Sequence, residues 1–159
     1  MASEKKKKLD RKNVATNRKA RFNYEIIETV EAGLVLTGSE VKSLRIGHAD
    51  ISEAFATIQG GEVFLRNVDI PEYAMGGYAN HARRRARKLL LHKKEIVKLQ
   101  GRVKEKGCTL VPLALYFNED GLAKAEIAVG KGKKHADRRE DVKKREADRE
   151  IRRHLSRRG

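Results

Sequence analysis

Five cations stand within six residues at Arg83, Arg84, Arg85, Arg87 and Lys88, and no acid follows until Glu95. Guanidinium and ammonium groups at that density bind phosphate oxygens, through charge and, for arginine, through a planar fork of donors. A basic run on its own is often a solvated loop, but this one continues into a segment that can dock on a core. With a helix starting near Leu89, residues Leu89, Ile96, Leu99 and Val103 share one face, within about 80° at roughly 100° per residue. The stretch 80–103 therefore joins a polyanion-binding charge cluster to an anchoring stripe.

Other chemistries find no such constellation. The five histidines, His48, His81, His92, His135 and His154, are scattered, and with the single Cys108 they give no zinc-ligand spacing and no intramolecular disulfide. There is no glycine-rich phosphate loop with its Lys and Ser/Thr, and no nucleophile elbow. Carboxylates are numerous but unpaired by any motif. The expectation is a binding module without cofactor, metal or catalysis, with a small RNA-processing enzyme as an alternative.

Charge is partitioned along the chain. Of the net +15 carried by 159 residues, +7 lies in residues 1–21, +7 in 131–159 and +1 in the body between them. Within the body, 22–82 carries −6 and 83–106 carries +9. That pattern fits one folded module with a basic face and two basic arms rather than a uniformly sticky protein. The length suits a single domain. No run of 18 apolar residues spans a membrane, and neither arm pairs its cations with the apolar face of an interfacial helix. One cysteine and no secretory h-region fit a reducing cytoplasm.

The remaining chain supplies the elements that hold the cluster. Residues 1–21 have four successive lysines, few apolar residues and no period, so they are expected to be a flexible N-terminal arm, with Asn17, Lys19 and Arg21 held near the domain surface. Residues 22–36 read as two strands joined across Glu31-Ala32-Gly33. A short helix follows, capped by Thr37 or Ser39 and ended by Gly47, with Val41 and Leu44 inward and Lys42 and Arg45 outward. AFATIQ and EVFLRNV flank Gly60-Gly61 as a hairpin. Tyr73 and Tyr78 lie in the loop before the basic cluster, where they stack on bases or pack on their own domain. TLVPLALYF and LAKAEIAV form a second hairpin about Asn118–Gly121, with Pro112 marking an edge or bulge.

About six strands with two inserted helices predict a mainly β fold over 22–130, a small closed antiparallel barrel, with an α+β sandwich as the competing architecture. Residues 131–159 form a basic tail in which Glu140–Lys144, Asp141–Arg145 and Asp148–Arg152 are helix-supporting i, i+4 pairs, although Ala147, Ile151 and Leu155 make only a thin apolar line. The tail is expected to be disordered alone and helical on a charged surface. Among polyanions, structured RNA suits a small barrel with basic arms better than DNA, because the helix start lacks the side chains that read base edges in a major groove. Contact with roughly six to ten phosphates would make affinity fall by orders of magnitude over a modest rise in salt.

Five blocks carry a more specific signal: NRKARFNYEIIETVEAGLVLTGSEVKSLR (17–45), GEVFLRNVDIPEY (61–73), NHARRRARKLLLHKKEI (80–96), TLVPLALYFNEDGLAKAEIAVGKGKK (109–134) and DRRE (137–140). In order and spacing they resemble the SmpB family of bacterial SsrA-binding proteins, and the resemblance covers nearly the whole chain. It implies an oligonucleotide-binding barrel (OB-fold) that holds the tRNA-like domain of transfer-messenger RNA (tmRNA) and carries it to ribosomes stalled on an mRNA without a stop codon. Translation then switches to a short tag reading frame that marks the unfinished protein for proteolysis.

The implied partners are tmRNA, the small ribosomal subunit with its rRNA, and elongation factor Tu through the tmRNA complex, for a monomer in the cytoplasm. The implied RNA-facing residues are Asn17, Lys19, Arg21, Glu31, Asn80, His81, Arg83, Arg84, Arg85, Arg87, Lys88 and Leu91. The implied decoding-centre segment is His135, Asp137, Arg138 and Arg139. Two departures stand out. Ala82-Arg83 replaces the family's usual acid and proline, adding charge and loosening the loop. Ala136 replaces the usual ring before the Asp-Arg-Arg segment, so either His135 substitutes from one position earlier or that stack is missing. An ordinary ribosomal or ribosome-assembly protein is the alternative reading of the same charge pattern.

Overall fold

The computed structural model describes residues 12–47, 49–77, 80–133 and 143–153. Their order is β1 (Lys12–Thr16), α1 (Arg18–Asn23), β2 (Tyr24–Leu34), α2 (Gly38–Ile46), β3 (Phe55–Gln59), β4 (Glu62–Arg66), β5 (Arg87–Leu90), α3 (Lys93–Val103), β6 (Cys108–Phe117) and β7 (Ala123–Gly132). A further helix, α4, spans 143–153. Every strand pairing is antiparallel, and the sheet closes on itself: β6 pairs β3, β3 pairs β4, β4 pairs β5, β5 pairs β2, β2 pairs β7, and β7 returns to β6. This is the small closed antiparallel barrel expected, with β1 added along β6 from Lys12 opposite Phe117 to Thr16 opposite Ala114.

Alternation dictates which side chains fill the barrel. Val63 and Leu65 from β4, Leu89 from β5, Leu110 and Leu115 from β6, and Ala125, Ile127 and Val129 from β7 meet inside it. Strand β6 is buried on both faces. Its register shifts between Pro112 and Ala114, where the missing proline N–H permits a bulge. The bulge lets Leu110 and Leu115 both point inward, while Val111 and Leu113 pack outward under Ala20 of α1 in a second cluster. The β3–β4 connection uses Gly60 and Gly61 with φ of 58° and 76°, the geometry of a tight hairpin turn. Helix α2 starts at Thr37, whose N–H donates to Glu40 at 2.9 Å, and ends at Gly47 with φ 96°.

Three expectations are corrected. The arm through Arg21 is not featureless: residues 12–16 are a strand and 18–23 a helix, because β6 offers an apolar surface and an open ladder that the local sequence does not reveal. Residues 24–34 form one continuous strand, so Glu31 sits within β2 and not at a turn. Gly33 is there for close approach: a Cβ on it would stand 3.2 Å from Cβ of Leu90, where β5 crosses β2. Leu89 is a strand residue opposite Val63, and the following helix begins only at Lys93. A short apolar run such as Leu89-Leu90-Leu91 fits either period, and pairing with β4 decides it. In α3 only Leu99 is fully buried, Ile96 is half-buried, and Val103 is exposed.

Candidate nucleic-acid interface

The basic segment is a tightly held loop whose cations face in different directions. It leaves β4 through 68–71, continues through 73–77, and returns from Asn80 into β5. Asn80 clamps that loop: its Oδ1 accepts the Tyr73 N–H at 2.9 Å and its Nδ2 donates to the Tyr73 carbonyl at 2.7 Å. Next to it His81 is buried, with Nε2 2.9 Å from the Ile70 carbonyl and Nδ1 2.9 Å from the Ser39 hydroxyl. A carbonyl only accepts, so Nε2 carries the proton, and in the neutral ring Nδ1 accepts from Ser39. His81 therefore joins the loop to α2.

Arg87 is also turned inward. Its side chain is 0% exposed; Nε donates to Glu40 Oε2, Nη1 to the Val68 carbonyl at 2.7 Å, and Nη2 to the Arg83 carbonyl at 3.0 Å. Glu40 is equally buried and also accepts from Arg85 Nη2 at 2.5 Å. Burial pushes the Glu40 carboxyl up, but the Arg85, Thr37 and Arg87 donors outweigh it and hold its pKa below the ordinary glutamate value. Arg87 and His81 are thus buried in the fold: alternation puts Arg87 on the core side of β5, where the Glu40 carboxylate, backbone carbonyls and the nearby Asp69 compensate its charge.

The outward charges are fewer than the sequence count suggests. Arg84 is exposed and makes no hydrogen bond or ion pair to the described residues. Arg85 is 38% exposed at its side chain, shares Glu40 with Arg87, and has a buried Nε–H without an acceptor among the described residues. Lys88 is half-exposed and pairs with Glu62 at 3.0 Å. Arg83 binds both oxygens of Asp69, at 2.9 and 3.2 Å, so the cation introduced by Ala82-Arg83 is neutralised and ties the loop down instead of loosening it.

Asn17, Lys19 and Arg21 divide in the same way. Asn17 is buried; its Nδ2 donates to the Ile51 and Pro112 carbonyls, both at 3.1 Å, and its Oδ1 caps α1 through the Ala20 N–H at 3.1 Å. Both of its N–H donors and one lone pair of its oxygen lock α1 to the barrel. Lys19 and Arg21 are exposed.

A second surface lies where β2, β5 and β7 meet. Val30, Glu31, Gly33, Leu90, Leu91, His92, Glu95 and Lys124 line an open groove of about 490 Å³. Glu31 is exposed, and its Oε2 accepts a hydrogen bond from the Tyr116 hydroxyl. Leu91 is half-buried, with apolar neighbours beneath it. Carboxylate, lysine and leucine side chains around one groove match a base edge, a phosphate and a base face or ribose, respectively. Below it, α3 is tied to β2 by Glu28, which binds Lys98 at 3.0 Å and Arg102 at 3.1 Å.

Sequence reasoning missed Glu40 and Tyr116. The Thr-x-x-Glu spacing of a capping box signals the Glu40–Thr37 contact, but nothing local signals Arg87 or Arg85, 45 residues or more away. His135, Asp137, Arg138 and Arg139 lie outside the described residues, as does Tyr78. Among the described residues, no group of three or more His, Cys, Asp or Glu is placed to hold a metal ion, and no helix is long and apolar enough to cross a membrane.

Comparison with known proteins places these features in a family. The family model described as SmpB protein matches residues 14–157. An SsrA-binding protein of Sinorhizobium fredii is 55% identical over 159 residues, covering 100% of both chains. One of Thermobifida fusca is 57% identical over 157 residues, covering 96% of this chain and 98% of its own. A chain of the solved structure described as "tmRNA-SmpB: a journey to the center of the bacterial ribosome" superposes with a TM-score of 0.65 at 53% identity, covering 76% of this chain and 85% of that one. With a family match over most of its length and relatives above half identity end to end, this chain is a member of the SmpB family.

Proposed function

We propose that this protein binds the tRNA-like domain of tmRNA and delivers it to stalled ribosomes for trans-translation, so that incomplete proteins are tagged and the ribosome is released. The observation that carries this is the full-length relationship to SsrA-binding proteins, joined to a chain 53% identical in a tmRNA–SmpB ribosome structure. The partners are tmRNA and the small ribosomal subunit with its rRNA, and elongation factor Tu engages through the tmRNA complex. The protein acts in the cytoplasm, as a monomer and without catalysis of its own.

Within this role the RNA-facing residues are Lys19, Arg21, Glu31, Arg84, Arg85, Lys88 and Leu91, supported by their exposure or partial exposure around the groove and the loop. Cations bind phosphates in a sequence-independent way, while the Glu31 carboxylate accepts from base amino or imino groups, which no cation can do. The barrel through β7 carries RNA recognition. The tail from 134 onward, including His135, Asp137, Arg138 and Arg139, occupies the decoding centre and the empty mRNA path.

The test is reconstituted translation of an mRNA lacking a stop codon, supplied with tmRNA and either the full chain or a chain ending at Lys133. The full chain supports tag addition. The shortened chain binds tmRNA with unchanged affinity and adds no tag. Loss of tmRNA binding on truncation would refute the division of labour, and no tagging by the full chain would refute the function.

A further inference from the structure

The loop's buried half poses a physical question. Taking a carboxylate and a guanidinium out of water is costly, and well-packed apolar residues of similar volume give equal or greater stability. Glu40 and Arg87 are nonetheless both 0% exposed and paired. What apolar side chains cannot reproduce is the directional bonding. The Arg87 fork holds the Val68 carbonyl at 2.7 Å and the Arg83 carbonyl at 3.0 Å, so it folds the loop back over its own strand. The Arg83 carbonyl also accepts the Ile70 N–H at 3.0 Å, and the Arg85 N–H turns back to the Ala82 carbonyl at 3.3 Å. Glu40 fixes the other end of the guanidinium from α2, itself oriented by the Thr37 N–H at 2.9 Å.

We propose that Glu40 is a positioning residue for RNA binding: with Arg87 it forms a buried template that sets the path of residues 82–88 and so the directions in which Arg84, Arg85 and Lys88 face. This presupposes the RNA-binding role above. Arg85 is the link between template and ligand. One of its Nη groups is held by Glu40 at 2.5 Å, while the side chain remains 38% exposed and its Nε–H has no acceptor among the described residues. When Arg85 turns to a phosphate, Glu40 keeps its bonds from Arg87 and the Thr37 N–H. The template is therefore not dismantled by binding.

The experiment uses the full chain and a transcript of the tRNA-like domain. A double variant, Glu40→Met with Arg87→Met, removes both buried charges while filling their volume. It is expected to stay folded, with an unchanged circular dichroism spectrum and a cooperative melt. Its RNA affinity falls tenfold or more near physiological salt, the salt dependence becomes shallower as fewer cations converge, and trypsin cuts after Arg84 or Arg85 much faster than in the native chain. A folded double variant with native affinity and salt slope would overturn the proposal.

Amide exchange of the native chain decides the matter even where the variant does not fold. Positioning requires that the Ile70 and Arg85 amides be protected in free protein, at a level near that of the β4–β5 ladder; exchange as fast as in an open loop would overturn it. If the native chain shows no preference for the tRNA-like domain over an elongator tRNA, the functional reading fails, and the exchange result still stands for or against the template.

Discussion

Arg84 and Arg87 lie three positions apart in the same basic run and do opposite work. Arg84 is exposed and makes no hydrogen bond or close ion pair to the described residues, only a longer-range attraction to Asp50, whereas Arg87 is 0% exposed and bonds a carboxylate and backbone carbonyls. The same contrast separates Lys19 from Asn17, and Glu31 from Glu40. In each pair one residue is buried and bonded within the framework while the other is exposed. Charge count in a sequence therefore overstates the ligand-binding charge, and the chain's basic cluster is half framework.

The contrast is broken most severely from the inside. Arg87→Ala leaves Glu40 buried with less compensation and should cost about 3–5 kcal/mol, read as a lower urea midpoint, with RNA affinity reduced both by unfolding and, in the molecules that stay folded, by loss of the loop's template. Acid probes the same pair more gently. The Glu40 pKa is depressed in the folded state, so its contribution is fully present above the unfolded-state glutamate value near about 4.3 and is lost as pH falls through the lower folded value. The urea midpoint of the native chain should drop on acidification through that window, and the gap between it and Glu40→Gln should narrow.

Changes on the outside should spare stability. Glu31→Gln should leave the melt within about 0.5 kcal/mol of native and lower the preference for the tRNA-like domain over an elongator tRNA by roughly tenfold, on the order of one charged hydrogen bond, with an unchanged salt slope. Arg84→Ala should be the mildest: a several-fold loss of affinity on every RNA and a reduction of about one in the salt slope, with no change in preference.

Periodicity and turn chemistry made much of the frame legible beforehand. The Gly60-Gly61 hairpin, the β6–β7 hairpin, the Pro112 bulge and the capped helix ending at Gly47 are all written in local residue choices. Features set by distant neighbours were not. Strand β1 exists because β6 has an open ladder, Leu89 is a strand residue because β4 pairs it, and Gly33 sits in a strand because β5 needs room there. The inward turn of Arg87 follows from strand alternation once β5 is known, but a reading that keeps Arg87 in a basic loop and starts a helix near Leu89 contains no strand to alternate. Residue resemblance pointed to Glu31 and Leu91 together with Asn17 and His81, yet it could not separate those on the open groove from those buried and bonded within the framework.

On the proposed function, this barrel recognises a tRNA-like RNA by shape and specific contact and not by charge alone. The most direct test is equilibrium binding of the full chain to the tRNA-like domain of tmRNA and to an elongator tRNA of equal length, from about 50 to about 300 mM salt. A large preference for the tRNA-like domain that persists at physiological salt is the predicted result. Equal binding of the two RNAs, collapsing together as salt rises, would contradict it.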